Sequence, residues 1–286
     1  MILSDGDLEL DGYPIGQDWP VFAEGLDPGH PEVRTQDADN PVGDGRLFGR
    51  DFLTGPTWTL DLVVNTGSSA EARQVLGELA RRWRAARTVA GKESVLRYRI
   101  GGETRLVYGR PRNLAPDPAG IESGAITVTG TFVCSDHLQY GDDLRVLAQL
   151  KLIPPPTGGF VAPFTAPIVT ASTGELQGVI ADVGGNAPAP FTARIKGPVT
   201  NPYLTGDGWR IELRTTLAHD ETVTIDTRKN TVISNLRGSL GGTLTRYSRL
   251  AAARLLPGPD RVSFGGTDAT GTATANITWR PAFDGF

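Results

Sequence analysis

Between residues 58 and 64 apolar and polar positions alternate, with Trp58, Leu60, Leu62 and Val64 on one side and Thr59, Asp61 and Val63 on the other. Period two with a single apolar face predicts a half-buried strand. The same pattern returns at 95–100 (Leu96, Tyr98, Ile100), at 104–109, and at 125–133, where Ile126, Val128 and Phe132 oppose Thr127, Thr129 and Thr131. Gly101-Gly102 between the first two reads as a hairpin turn. An early strand is expected near 7–10. The remainder of 1–45 has weak periodicity and turn formers such as Asp27-Pro28-Gly29 and Asn40-Pro41, which predicts a long irregular segment. Pro111, Pro116 and Pro118 are expected to hold 110–120 as an extended connection.

One stretch has helical period. Ala72, Val75, Leu76, Leu79 and Trp83 form a single stripe within a helix of about 69–88. Ser68 and Glu71 offer a capping box at its start. Arg81, Arg82, Arg84 and Arg87 crowd its end, where they favour the negative pole of the helix dipole; binding of a phosphate or a partner is the other use of such a cluster.

Beyond residue 190 the pattern is strand throughout. Apolar positions alternate over 191–196, 209–217, 223–233 and 272–279, and Val262 and Phe264 follow the turn Pro257-Gly258-Pro259-Asp260. Short strands at this spacing without a helix predict an antiparallel sandwich. Pro154, Pro155, Pro156, Gly158, Gly159, Pro163 and Pro167 predict a stiff linker. The expected class is therefore mainly β, with two antiparallel β-sandwich-type domains. An N-terminal domain with one packed helix spans 1–150, a linker 151–168, and a second sandwich 169–286.

Composition narrows the chemistry. The 286 residues carry a net charge of −4, which argues against a general polyanion binder. Cys134 is the single cysteine, so an intrachain disulfide and a thiolate-rich zinc site are excluded. Three histidines, His30, His137 and His219, make a His-rich metal site an unpromising reading. No apolar run reaches the ~18 residues of a membrane span, and the first residues lack the pattern of a secretory signal. No membrane insertion is expected.

The charge is unevenly placed. Residues 1–45 hold eleven acids and one base, and residues 46–115 hold thirteen bases and six acids. Two solvated faces of one domain explain this as well as a subunit built to meet a copy of itself head to tail.

No catalytic set emerges. There is no Gly-x-Ser-x-Gly elbow, and the histidines lie in Pro- or Asp-rich turns. Cys134 beside Ser135-Asp136-His137 reads as a buried structural thiol. Gly184-Gly185-Asn186 and Gly265-Gly266 lack the strand–turn–helix context and lysine of a phosphate loop. Trp58 and Trp279 read as core. No catalytic, cofactor-binding or metal-ligating residue is assigned, no cofactor is expected, and the chain is expected not to be an enzyme.

Two stretches carry a resemblance. Arg46-Leu47-Phe48-Gly49-Arg50-Asp51-Phe52 through Trp58-Thr59-Leu60-Asp61-Leu62, with the helix that follows, resembles the N-terminal domain of siphophage distal tail proteins. Phe132-Val133-Cys134-Ser135-Asp136 and Tyr140 resemble the segment that closes that domain, with His137 where proline is usual. Glu221-Thr222-Val223-Thr224-Ile225-Asp226-Thr227 with Thr231-Val232, then Leu256 to Phe264, resemble the galectin-like sandwich of distal and minor tail proteins.

The resemblance implies a virion protein of a long-tailed phage tail tip, assembled in the host cytoplasm. It implies a ring, commonly a hexamer, that joins the tail tube protein to hub or tip proteins and carries adhesion or receptor-binding proteins. Genomic DNA would pass through without specific binding, past a wall to which Asp5, Asp7, Glu9, Asp11, Asp37, Asp39 and Asp44 are candidate contributors. The competing reading is a carbohydrate-binding β-sandwich module used in host-surface attachment.

Overall fold

The alternation around residue 60 is realised as a long strand, Thr57–Asn65, in a computed structural model of the chain. The structure describes residues 2–85, 89–152, 178–268 and 270–285. The predicted linker falls largely outside them, as does Arg87 of the arginine cluster. The chain divides into two compact units, Met1–Asp142 with Asp284–Phe286, and Asp143–Phe283. Both are built from antiparallel sheets, the mainly β class expected.

In the first unit the strands are β1 (Leu8–Leu10), β2 (Tyr13–Ile15), β3 (Val21–Asp27), β4 (Thr57–Asn65), β5 (Ser94–Ile100), β6 (Glu103–Asp117), β7 (Ala125–Cys134) and β8 (Gln139–Gly141). Their order is β2-β1-β5-β6-β7-β4-β3, with β8 also on β6. The Gly16 N–H donates to the Val21 carbonyl, so the sheet rolls back on itself. Its inner face buries Trp58, Leu60, Leu62, Val64, Leu96, Tyr98, Val107, Ile126, Val128 and Phe132. Trp58 and Tyr98 meet across that interior with ring centroids 5.1 Å apart.

Helix α1 (Ser69–Ala85) lies on the same face. Ser68 Oγ accepts the Glu71 N–H at 3.3 Å, the forward half of the expected capping box. Ala72, Leu79 and Trp83 are fully buried, and Val75 and Leu76 half-buried. Room for the Trp83 indole comes from Gly130 on β7, where a Cβ would sit 2.7 Å from the ring.

Two expectations need correction. The irregular segment contains β2 and β3; a bulge between Ala23 and Gly25 opposite β4 breaks the alternation and hides β3 from a period-two search. Residues 110–117 of that connection are the second half of β6, paired to β7 as far as Asp117↔Thr127 with a bulge between Pro111 and Leu114, and Pro118 opens a 3-10 turn over Pro118–Ser123 capped by Asp117. Pro111 and Pro116 are tolerated in the strand because β5 ends at Ser94↔Gly109. Beyond that point the far edge of β6 has no strand neighbour among the described residues.

The second unit contains β9 (Arg145–Val146), β10 (Leu150–Lys151), β11 (Gly178–Asp182), β12 (Phe191–Lys196), β13 (Val199–Gly206), β14 (Trp209–Glu212), β15 (Thr216–Leu217), β16 (Thr222–Asp226), β17 (Thr231–Ser234), β18 (Gly238–Ser239), β19 (Pro259–Thr267) and β20 (Thr274–Trp279). One sheet runs β9-β20-β12-β16-β17-β18, with β10 also on β20. The other runs β11-β19-β13-β14, with β15 also on β13. Phe191 of the first sheet and Trp209 of the second stack at 5.0 Å, which marks the sandwich interior. Strand β13 escaped the sequence reading because Asn201 takes a left-handed φ of 49° and Pro202 follows it, where the ladder to β19 is interrupted. Pro259 and Asp260, expected in a turn, begin β19 opposite Asp182 and Ala181.

Candidate assembly surface

The residues between β3 and β4 form an arm. Val33–Arg34 pairs with Phe52–Leu53, and Ala38–Asp39 with Arg46–Leu47. Asn40 closes the tip, its N–H donating to the Gly45 carbonyl and its Oδ1 accepting the Val42 N–H. Asp37 Oδ1 accepts the Gly49 N–H at 2.9 Å, and Phe52 is flanked by the Arg34 and Arg50 guanidinium groups at 5.4 and 5.2 Å.

No residue from Val33 to Leu53 is buried. Val42 is 93% exposed and Phe48 87%. Two isolated strands are marginal in water, and apolar side chains gathered on an unburied ribbon mark a surface that another molecule covers.

A second feature lies on the same unit. The unpaired edge of β6 and helix α1 enclose a groove of ≈ 370 Å³. Leu76, Gly77, Ala80, Trp83, Leu114 and Pro116 line it, and Arg73, Arg84 and Arg112 stand on its rim, all three exposed. The Trp83 indole N–H is buried and has no acceptor among the described residues. Arg81 and Arg82 both reach Glu78, whereas the rim arginines make no ion pair among the described residues.

Part of the acidic N-terminal charge is neutralised within the chain. Glu9 pairs with Arg97 at 2.7 Å, Asp5 with Arg99 at 3.3 Å and Asp39 with Arg46 at 3.8 Å. Asp11 Oδ1 accepts the Val95 N–H, and buried Asp7 accepts the Ser4 N–H. The sequence split into acidic and basic stretches is therefore in part a record of strands β1 and β5 lying side by side.

The other singled-out residues are structural. Burial pushes the Cys134 thiol up to about 12, with Asp136 adding to the shift, so it is protonated near neutrality. Cys134, His30, His137 and Asp136 line one cavity of ≈ 290 Å³. Asp136 is engaged there in accepting the Tyr140 hydroxyl and the Leu138 N–H, which is what its segment does for the fold. His219 is exposed.

Gly185 passes so close to Ala282 that a Cβ would lie 2.1 Å from its carbonyl oxygen, and Gly265 lies under the Tyr203 ring. These are packing glycines. Trp279 Nε1 donates to the Val183 carbonyl in the core. No cluster of three metal-ligating side chains occurs among the described residues, and no helix there is long and apolar enough to cross a membrane.

No protein-family model and no curated protein matches the chain. Solved structures do. The Dit protein (gp 19.1) of phage SPP1, described as a paradigm of the hub adsorption apparatus of phages infecting Gram-positive bacteria, superposes with a TM-score of 0.60. The match covers 97% of this chain and 98% of that one at 13% identity.

The chain has the Dit fold.

A chain of the phage P2 baseplate in its activated, Ca-bound conformation gives a TM-score of 0.53 at 12% identity, over 95% of this chain and 97% of that one. The Dit likeness runs through both units and agrees with the distal-tail resemblance carried by residues 46–140 and 190–280. Neither the arm nor the groove was legible beforehand. The only signals were apolar Val42, Leu47 and Phe48 set among turn formers, and prolines placed along one edge of β6.

Proposed function

We propose that this protein is a structural component of a long-tailed phage tail tip. It assembles through its first unit into a ring, hexameric by analogy, between the tail tube protein and the hub or tip proteins. The observation that carries this reading is the Dit fold over nearly the whole length of both chains, since a partial match to one sandwich would support little. The unburied arm adds to it: a monomer has no use for exposed Val42, Leu47 and Phe48.

The second unit is read as galectin-like and as the platform for peripheral adhesion proteins. The place of action is the virion tail tip, with assembly in the host cytoplasm. The protein acts by holding partners and not by turnover. Native mass spectrometry of the full chain tests this. A single closed multiple of the 30.5 kDa subunit supports the ring, whereas monomer or dimer at every concentration overturns it. A glycan array bound by a monomer would favour the sugar-binding module instead.

A further inference from the structure

The arm and the groove on the first unit are complementary in polarity and charge. The outer half of the arm, residues 37–44, carries Asp37, Asp39 and Asp44, of which Asp39 faces Arg46 of the returning ribbon at 3.8 Å, with Val42 at its tip and Leu47 and Phe48 beside it. The groove is apolar at its floor and has three arginines on its rim that lack an acidic partner among the described residues. One wall is the edge of β6 that has no strand neighbour among the described residues, and Trp83 offers a buried indole N–H with no acceptor among them.

An extended segment with carboxylates and apolar side chains is the occupant such a groove fits: its apolar side chains fill the floor and its carboxylates meet the rim arginines, while Pro111 and Pro116 leave the β6 edge without the donors for strand addition. We propose that the arm of one copy docks by its outer half in the α1–β6 groove of the neighbouring copy. The contact is heterologous: a different surface is used on each side, so repetition closes a ring or grows a filament. The proposal rests on the ring reading and names the surfaces that would make it.

Arg84 thereby takes on the partner-binding role that its cluster left open, and Arg81 and Arg82 remain tied to Glu78. Some of the N-terminal acids then serve the subunit contact, whereas Asp5 and Glu9 hold the subunit's own sheet.

Cysteine cross-linking of the full chain tests the contact. The native Cys134 is buried and does not interfere. Gly77 lines the groove, and a side chain there meets nothing within 4 Å, so Gly77→Cys is accommodated without strain. Gly77→Cys is combined in turn with Val42→Cys, Leu47→Cys and Phe48→Cys.

At least one pair is expected to give a ladder of covalent multimers on oxidation. Gly77→Trp, which fills the groove, is expected to keep the thermal transition and lose the assembled mass. Arg84→Glu with Arg112→Glu is expected to lose assembly, and Asp39→Arg with Asp44→Arg on the same chain to restore it.

If native mass shows a ring but no pair cross-links and Gly77→Trp assembles normally, the docking is wrong while the ring stands. If the unmodified chain is a monomer throughout, both fall.

Discussion

Trp83 shows how much one side chain can carry in this fold. It is 1% exposed, fills the space left by Gly130, and ties α1 to the sheet. Trp83→Ala is expected to lower stability by about 3–5 kcal/mol. Gly130→Ala, which drives a Cβ into the ring, should cost about 1–3 kcal/mol by overpacking. Denaturant unfolding measures both, and an unchanged midpoint for either would show that the helix is not seated as described.

Glu221 is the corresponding polar case. Its burial alone would raise its pKa, but donors from Arg237, Ser234 and the Ala218 N–H outweigh this and hold it below the ordinary value. A carboxyl depressed on folding stabilises above its unfolded value of about 4.3, and that contribution is lost as pH falls through the lower folded value. Glu221→Gln should therefore cost about 1–3 kcal/mol at pH 7. It should also flatten the acid limb of the stability curve. An acid limb as steep as the parent's would exclude Glu221 as its source.

Among the elements, α1 and the arm stand at opposite extremes. The helix is embedded, so its loss would unmake the unit. The arm buries nothing from Val33 to Leu53, and its ribbons hold through short ladders, the Arg34–Phe52–Arg50 stack and exposed polar contacts such as Asp37 with the Gly49 N–H. Replacing residues 36–50 by a tight Asn-Gly turn is expected to change unit stability by no more than about 0.5 kcal/mol while abolishing assembly. Calorimetry and native mass read the two effects separately, and a large fall in melting temperature would mean that the arm is a folding element.

Strand β6 is intermediate. Its first half is held on both edges, and its second half on one. That asymmetry creates the groove.

For the whole molecule the unit boundary matters. Leu147, Leu150 and Leu152 are buried within the second unit, on or beside β9 and β10, which pair with β20. A fragment from Asp143 should fold cooperatively. One starting near residue 160 should be weaker by several kcal/mol, since each buried leucine contributes about 1.5–3 kcal/mol. Equal melting of the two fragments would count against the assignment of 143–152 to this unit.

Assembly through arm carboxylates and rim arginines should slow with added salt more than it weakens, because exposed pairs steer encounter and add little affinity. Stopped-flow light scattering at rising ionic strength reads this directly. A salt-insensitive rate would leave apolar contact alone as the driver.

Local patterning determined a good deal. The β class, helix α1 with its buried stripe, the central ladders of both units and the inert Cys134 followed from periodicity and residue type, because each depends on neighbours close in the chain. The distal-tail resemblance followed from motif order, and the Dit fold agrees with it.

Tertiary structure decided the rest. Bulges at Ala23/Gly25 and Thr200/Tyr203 shift the side-chain face by one residue and erase period two, although the strands are real. The acidic and basic stretches were separable in sequence, but only the register of β1 on β5 turned Glu9 and Arg97 into a pair inside one subunit. The arm reads as a loop because exposure is a property of the folded surface, and the groove exists only where α1 meets an edge of β6 that β5 is too short to cover.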